Sequence, residues 1–170
     1  MIVQQDDEYL DLVNAEDQVI GKKLRSQIYA EGLLNFRVIN AFLVNSQGQL
    51  WIPRRSLDKR LFPGCLDMSV GGHVESGETY NQAFKRELAE ELNIDADQIA
   101  WKVIGRLNPL VDRTSVFMHV YEMSSDITPQ YNPNDFTESS WLTPQELLHR
   151  IESGDPSKSD LPLLIQKFYM

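Results

Sequence analysis

Three glutamates, Glu87, Glu90 and Glu91, stand close together in a segment whose periodicity predicts a helix over Thr79–Leu92. At about 100° per residue they share an arc of about 100°, which borders the apolar stripe of the same helix. An ordinary amphipathic helix places its charges opposite the apolar face, and like charges three or four residues apart repel. A bound Mg²⁺ or Mn²⁺ would neutralise the cluster, because these hard cations prefer carboxylate oxygens. The spacing leaves two interpretations, a metal site and a solvated acidic helix.

The residues in front of this helix favour the metal site. Gly71 and Gly72 let the backbone approach a ligand closely, and the carbonyl of Gly72 could join the metal's ligands. Glu78 precedes the helix, and Arg86 lies between it and the carboxylate cluster.

Residues 72–94 read GHVESGETYNQAFKRELAEELNI, which closely resembles the Nudix box, a pattern of Gly, Glu, Arg-Glu, an aliphatic residue and Glu-Glu at fixed spacing. The matching positions are Gly72, Glu78, Arg86, Glu87, Leu88, Glu90, Glu91 and Ile94. Asn93 stands where the family has Gly, and Asn is the next best residue for a left-handed helix end. So many fixed positions make the resemblance highly specific.

The resemblance implies an α/β fold, the Nudix α/β/α sandwich with a mixed sheet, and Mg²⁺-dependent cleavage of a diphosphate linked to another moiety. Mn²⁺ is an expected substitute for Mg²⁺. By motif position, Glu87, Glu90 and Glu91 look like the metal ligands, with the Gly72 carbonyl as a further one. Metal ions offset the charge of a phosphoryl group and lower the pKa of bound water, so the implied chemistry suits the donor set.

Other positions of the box carry the implied catalytic roles. Glu78 and Arg86 resemble the pair that braces the carboxylate cluster. The general base is not fixed across the family. Glu91 or Glu90 is the first choice here, and Glu138, in the loop before Trp141, is the alternative, with a solvated loop residue as its other interpretation.

The resemblance extends to isopentenyl-diphosphate isomerases and their relatives, on Asp11–Asn14, Arg54–Lys59 and Phe62–Gly64. In the isomerases an Arg and a Lys of the middle stretch grip the diphosphate, and Arg55 and Lys59 match those positions. Guanidinium and ammonium groups are suitable donors to such an anion. A basic surface loop is the alternative interpretation of this stretch.

The isomerase reaction itself requires a protonating cysteine just before the box, and this chain has Gly71 there. Cys65 is expected to be a buried structural thiol. The isomerases also use early histidines as metal ligands, whereas the first histidine here is His73. The chain therefore resembles an isomerase-like Nudix hydrolase acting on a nucleoside diphosphate or triphosphate, or a similar small organic diphosphate. The alternatives are the isomerase and a nucleotide-sensing module without catalysis.

Several elements must position these residues. The pattern predicts strands at Tyr9–Val13, Val19–Ile20, Val38–Val44, Leu50–Ile52, Met68–Val70, Trp101–Leu107, Val116–Tyr121 and Ser139–Leu142. It predicts helices at Lys22–Glu31, Thr79–Leu92, Pro144–Ile151 and from near Leu161, the last with Asp160 as its cap. Aromatic residues that could stack on a base are instead expected in the core, namely Tyr29, Phe36, Trp51, Phe117 and Phe136. We expect one Nudix domain over residues 1–170, with a strand and helix extension over 1–35.

Composition bounds the remaining possibilities. The 170 residues are 42% hydrophobic and 24% charged, which is typical of a globular domain. A net charge of −9 argues against binding a nucleic-acid polymer, though not against a small phosphorylated substrate. The chain starts without a basic and apolar leader, its apolar runs are too short to span a bilayer, and its single cysteine allows no internal disulfide. We expect a cytoplasmic protein without a membrane partner, either a monomer or a homodimer.

Overall fold

A computed structural model of the chain describes residues 7–170, so residues 1–6 of the expected 1–35 extension lie outside the described residues. The strands are β1 Tyr9–Val13, β2 Val19–Leu24, β3 Arg37–Val44, β4 Leu50–Arg55, β5 Val70–His73, β6 Ala100–Leu107, β7 Phe117–Ser124 and β8 Phe136–Leu142. The helices are α1 Arg25–Ala30, α2 Tyr80–Leu92, α3 Pro109–Asp112, α4 Pro144–Glu152 and α5 Leu161–Tyr169, with a 3₁₀ turn at Ala96–Gln98.

Six strands form the main sheet, in the order β6-β7-β3-β4-β8, with β5 attached to β3. The pairing of β3 with β7 is parallel and that of β3 with β5 is antiparallel, so the expected mixed sheet is confirmed. The strands β3 and β4 are consecutive and antiparallel, and they pair at Val44 and Leu50. Along the rest of β3, β5 pairs instead, and it places Gly71 opposite Asn40 and Gly72 opposite Ile39.

The two faces of the sheet carry separate cores. Successive side chains of a strand point to opposite faces of the sheet. From β3, Ile39 and Leu43 pack in the core that contains Phe84 and Leu88 of α2. Phe42, from the same strand, packs in the core that contains the buried residues of α4 and α5, Leu147, Leu161, Leu164 and Ile165. Helices therefore cover both faces, and the expected α/β/α sandwich is confirmed.

Both ends of α2 are fixed as the sequence predicts. The Thr79 hydroxyl accepts a hydrogen bond from the Gln82 backbone, and the Gln82 side chain accepts one from the Thr79 backbone, which completes a capping box. Asn93 ends the helix in the left-handed conformation, with φ of 56°. The helix that carries the acidic cluster thus has a defined register at both ends.

The predicted helix over Lys22–Glu31 is wrong in its first part. Lys22 to Leu24 continue β2 and pair with Tyr9 to Asp11 of β1, because this ladder satisfies their backbone groups. The helix α1 starts only at Arg25.

Other boundaries also differ from the predictions. The strand β5 runs from Val70 to His73 rather than from Met68 to Val70, since it pairs with β3 beyond the two glycines. The strand β8 starts at Phe136, earlier than predicted. Asp160 precedes α5 but makes no side-chain cap, because its carboxylate accepts hydrogen bonds from Ser115 instead. Within residues 7–170, none of the helices combines the length and the apolar character needed to cross a bilayer.

Candidate active site

A cleft of about 700 Å³ opens where α2, β5, the N-terminal extension and the loops after β4 and α4 meet. It collects residues that are far apart in the sequence. The sequence-predicted site residues that line it are Arg55, Lys59, Gly72, Arg86, Glu87, Glu90 and Glu91. Glu78 is outside this lining, and its side chain is connected to the cleft through Arg86.

Arg86 is the centre of an ionic network at this cleft. Its Nε and Nη2 donate to the two carboxylate oxygens of Glu78 at 2.7 and 3.1 Å, which is a bidentate pairing. Its Nη1 donates to Glu87 at 2.8 Å and to Glu90 at 3.4 Å. Its Nη2 also donates to the His73 carbonyl at 3.0 Å, which ties α2 to β5. The arginine therefore fixes the acidic helix against the strand that carries the glycines.

Glu91 is the most buried carboxylate of the helix, with 6% of the residue exposed. Its Oε1 accepts a hydrogen bond from the Gly71 backbone at 3.1 Å. Burial and the negative charges of Glu87 and Asp67 raise the pKa of Glu91 well above its usual range. Burial likewise raises the pKa of Glu87 to about 7, although Arg86 opposes the shift. The fold thus buries two carboxylates without enough positive charge or hydrogen bonding to stabilise their ionised forms.

Gly72 makes room for one of these carboxylates. A Cβ atom at this position would lie 2.2 Å from Cδ and Oε1 of Glu87. The glycine thus lets the Glu87 side chain lie against the backbone of β5. The sequence pattern pointed only to the carbonyl of Gly72, and the packing supplies a second reason for a glycine there.

The donor chemistry of this cluster fits a divalent cation. Among residues 7–170, no three His, Cys, Asp or Glu side chains converge closely enough to hold a metal ion in this arrangement. Arg86 binds Glu87 and Glu90, and Glu90 lines the cleft with 58% of its side chain exposed. A cation would also supply the compensation that the buried Glu87 and Glu91 lack. The roles of Glu87, Glu90, Glu91 and the Gly72 carbonyl as ligands stay a prediction.

Arg55 and Lys59 line the cleft, and each is held by an aspartate. Arg55 donates from Nη1 to Asp67 at 2.8 Å and from Nε to the Leu61 carbonyl at 2.9 Å. The ammonium of Lys59 donates to Asp135 at 2.5 Å. Both cations are therefore anchored in place rather than free on a surface loop.

Two further residues named from the sequence lie elsewhere. Glu138, the alternative base, pairs with Arg54 at 2.5 Å and is outside the residues that line the cleft. Cys65 is also outside that lining, and it is partly exposed, so the expectation of a buried thiol is wrong.

One wall of the cleft is aromatic. The Tyr29 hydroxyl and Nε2 of His73 are 2.7 Å apart, and the Tyr29, Phe36 and His73 rings pack with centroids 5.7 to 5.8 Å apart. Burial lowers the pKa of His73 to about 3, and nearby cations add to the shift. Tyr29 was expected in the core, yet it is 42% exposed and lines the cleft, where its hydroxyl contacts His73.

The cleft also contains residues that the sequence did not single out, among them Glu8, Arg25, Asp135 and Lys158. None belongs to a local motif. They reach the cleft through long-range contacts, such as the ion pair between Arg25 and Glu8 at 3.2 Å. Sequence spacing alone carries no signal for them.

Known proteins share this architecture. A family model described as the NUDIX domain matches residues 34–161. An uncharacterized Nudix hydrolase from Nostoc sp. (strain PCC 7120) is 56% identical over 167 residues, which are 98% of this chain and 99% of that protein. A crystal structure of a protein from Deinococcus radiodurans matches with a TM-score of 0.91 and 52% sequence identity, and the match covers 96% of this chain and 100% of that one.

The similarity also reaches a second group of enzymes. An isopentenyl-diphosphate Delta-isomerase from Serratia proteamaculans is 32% identical over 145 residues, which are 83% of this chain and 79% of that protein. The matched family model spans most of the chain and includes the whole of the box, residues 72–94. The chain therefore belongs to the Nudix hydrolase family, in its isopentenyl-diphosphate-isomerase-like branch.

Proposed function

We propose that the protein is a Mg²⁺-dependent hydrolase that cleaves a phosphoanhydride bond of a nucleoside diphosphate or triphosphate, or of a similar small organic diphosphate. One observation carries the proposal. The carboxylates of the Nudix box line the same cleft as the anchored cations Arg55 and Lys59. A cleft with carboxylates for a metal and cations for an anion suits a polyanionic substrate.

One group of residues would bind the metal ion, and another positions its ligands. Glu87, Glu90, Glu91 and the Gly72 carbonyl would hold Mg²⁺, and Mn²⁺ as a substitute, and the bound cation offsets phosphate charge and lowers the pKa of water. Arg86 and Glu78 keep Glu87 in position.

Different residues bind the substrate and accept the proton of the attacking water. Arg55 and Lys59 bind the diphosphate through charge-assisted hydrogen bonds. Glu91, or Glu90, takes the proton of the attacking water at its carboxylate.

A substrate panel tests the proposal. Phosphate and pyrophosphate release is measured with Mg²⁺ over nucleoside diphosphates and triphosphates, and the products are identified by mass spectrometry. Wild type should hydrolyse at least one class, and Glu91→Gln should not. Glu152→Gln, an exposed glutamate at the end of α4, is the matched control and should behave as wild type. Equal turnover by Glu91→Gln and wild type would contradict the assignment.

A second candidate is the isomerisation of isopentenyl diphosphate, which the similarity to the Serratia proteamaculans isomerase favours. Two observations speak against it. Gly71 stands where the reaction needs a cysteine, and Cys65 is outside the residues lining the cleft. We expect no proton exchange of isopentenyl diphosphate in D₂O, and robust exchange would favour the isomerase.

A third candidate is a nucleotide-sensing module without catalysis. Its motivation is that the family fold also serves as a scaffold, and the complete set of box glutamates speaks against it. Calorimetry that finds tight nucleotide binding in a protein without turnover would support it.

We further propose one Nudix domain over residues 1–170, active in the cytoplasm as a monomer or a homodimer. The single cysteine and the ordinary globular composition support this. Limited proteolysis should yield no stable smaller fragment, and light scattering should give the mass of one or two chains.

A further inference from the structure

A buried aspartate outside the Nudix box holds two cations at the floor of the cleft. The side chain of Asp67 is 1% exposed, and its Oδ2 accepts a hydrogen bond from Nη1 of Arg55 at 2.8 Å. Its Oδ1 lies 3.4 Å from Nζ of Lys158 and accepts a hydrogen bond from the Met68 backbone. Each oxygen of this one carboxylate therefore has a cationic partner.

Backbone hydrogen bonds between two distant segments bring Lys158 to Asp67. Its backbone N–H donates to the Leu66 carbonyl at 2.9 Å, and the Leu66 N–H donates to the Pro156 carbonyl at 2.8 Å. These bonds tie the loop between α4 and α5 to the residue before Asp67. The Lys158 side chain is 22% exposed and lines the cleft. The fold thus fixes the backbone of Lys158 and leaves its side chain accessible from the cleft.

The ammonium of Lys158 also lies beside the acidic cluster. A Cβ built on Gly71 would be 3.4 Å from Nζ, and the Gly71 N–H is the group that donates to Glu91. Lys158 therefore stands next to the backbone of Gly71, the residue that connects it to the acidic cluster through Glu91.

The charges of this group do not cancel. One carboxylate faces two cations, whereas Lys59 and Asp135 form a balanced pair. Within the group of Asp67, Arg55 and Lys158 one positive charge is left over, and both cations line the cleft, where an anionic ligand can pair with that charge. A cation that served only to neutralise Asp67 would be redundant, because Arg55 already does so.

We propose that Lys158 is a substrate-binding residue that contacts the same diphosphate as Arg55, and that Asp67 is a positioning residue that holds both cations. The inference rests on the proposed function and extends it by two residues outside the box. The carboxylate of Asp67 fixes the spacing of the two cations before substrate arrives, so little ordering is needed on binding.

Lys158→Gln tests the binding role. We measure kcat and KM with a nucleoside diphosphate that wild type hydrolyses, and the Kd of inorganic pyrophosphate by calorimetry. Loss of one charge-assisted hydrogen bond should raise KM and Kd about 10- to 100-fold. The melting temperature should be unchanged, and Lys158→Arg should restore most of the affinity. Lys167→Gln, on α5 and paired with Asp112 outside the cleft, is the control and should leave KM and Kd unchanged.

Asp67→Asn tests the positioning role. It should raise KM as Lys158→Gln does, and the double variant should be much less than additive, because both changes disrupt one anchored unit. Full additivity would overturn the positioning role. Wild-type KM and pyrophosphate affinity in Lys158→Gln, with wild type active, would overturn the binding role alone. A wild type that neither hydrolyses the panel nor binds pyrophosphate would overturn the proposed function, and the inference with it.

Discussion

Two arginine-centred clusters on this molecule look alike in their contacts and differ in their charge balance. The Arg86 cluster lies at the cleft and consists of Arg86, Glu75, Glu78, Glu87 and Glu90. The Arg54 cluster lies outside it and consists of Arg54, Arg150, Glu138 and Asp155. In the first, one cation faces four carboxylates, with Glu91 one helical turn after Glu87. In the second, two cations serve two carboxylates.

The charge balance determines what happens to the acids. Hydrogen bonds from Arg54 and Arg150 lower the pKa of Asp155, so that its charge stabilises the fold. Burial raises the pKa of Glu87 to about 7 and that of Glu91 well above its usual range. An ion-pair cluster built for stability satisfies its carboxylates, whereas the cluster at the cleft leaves them with capacity for a further cation. Variants in the two clusters should therefore have opposite effects on activity and stability.

The largest effect on activity is expected for Glu91→Gln. The amide keeps the shape but loses the charge that would hold a metal or accept a proton, and turnover should fall about 10³-fold. The melting temperature of the metal-free protein should equal or exceed that of wild type, because an uncompensated buried acid is removed. Steady-state kinetics and calorimetric melting, with Glu152→Gln in parallel, measure both. A less stable but fully active variant would contradict the comparison.

The second largest effect on activity is expected for Gly72→Ala. The added methyl group would overlap Glu87, with 2.2 Å to its Cδ, so the carboxylate must move. A displacement of this size should lower kcat/KM about 100-fold while the protein stays folded. Gly21→Ala is the control, since a Cβ there has no atom within 4 Å. Similar kinetics for both variants would mean that the position of Glu87 is unimportant.

A smaller effect on activity, with a loss of stability, is expected for Arg86→Lys. Lysine keeps the charge but cannot reproduce the bidentate bond to Glu78 together with the bond to Glu87. The free energy of unfolding should fall by about 1.5–3 kcal/mol, and kcat/KM about 10-fold. Denaturant titration and kinetics measure the two quantities. Unchanged values for both would remove Arg86 from its bracing role.

The smallest effect on activity is expected for Asp155→Asn, in the Arg54 cluster. Kinetics should match wild type, while the free energy of unfolding at neutral pH falls by about 1–2 kcal/mol. Because the pKa of Asp155 is lowered from its ordinary value of 3.8, its contribution is complete above that value and is lost as the pH falls toward the lowered one. The difference from wild type should shrink on acidification. A difference that is constant with pH would contradict the ionic origin.

The same contrast separates what could be predicted from the sequence and what could not. Local patterns predicted α2 with its Thr79 and Asn93 ends, and the strand β3, because periodicity and capping depend on near neighbours. The regular repeat of the helix fixes the relative positions of the box residues that lie on it, so these positions could be predicted. The extent of β2 was missed, since strand pairing with β1 overrides the helical pattern.

The parts of the cleft that could not be predicted come from distant segments. Lys158 reaches Asp67 only because a loop near the C-terminus pairs with Leu66. Tyr29 lines the cleft, where its hydroxyl contacts Nε2 of His73, 44 positions further along the chain. These positions depend on tertiary contacts, which no spacing along the chain encodes.

Hydrolysis in H₂¹⁸O tests the central claim most directly. Wild type with Mg²⁺ and a nucleoside diphosphate or triphosphate should give products of which one phosphate group carries a single ¹⁸O atom by mass spectrometry. EDTA, or Glu91→Gln, should prevent the labelling, and Glu152→Gln should not. Absence of labelled product in wild type across the substrate panel, or equal labelling in Glu91→Gln, would contradict the account of the acidic cluster as a phosphoanhydride-cleaving site.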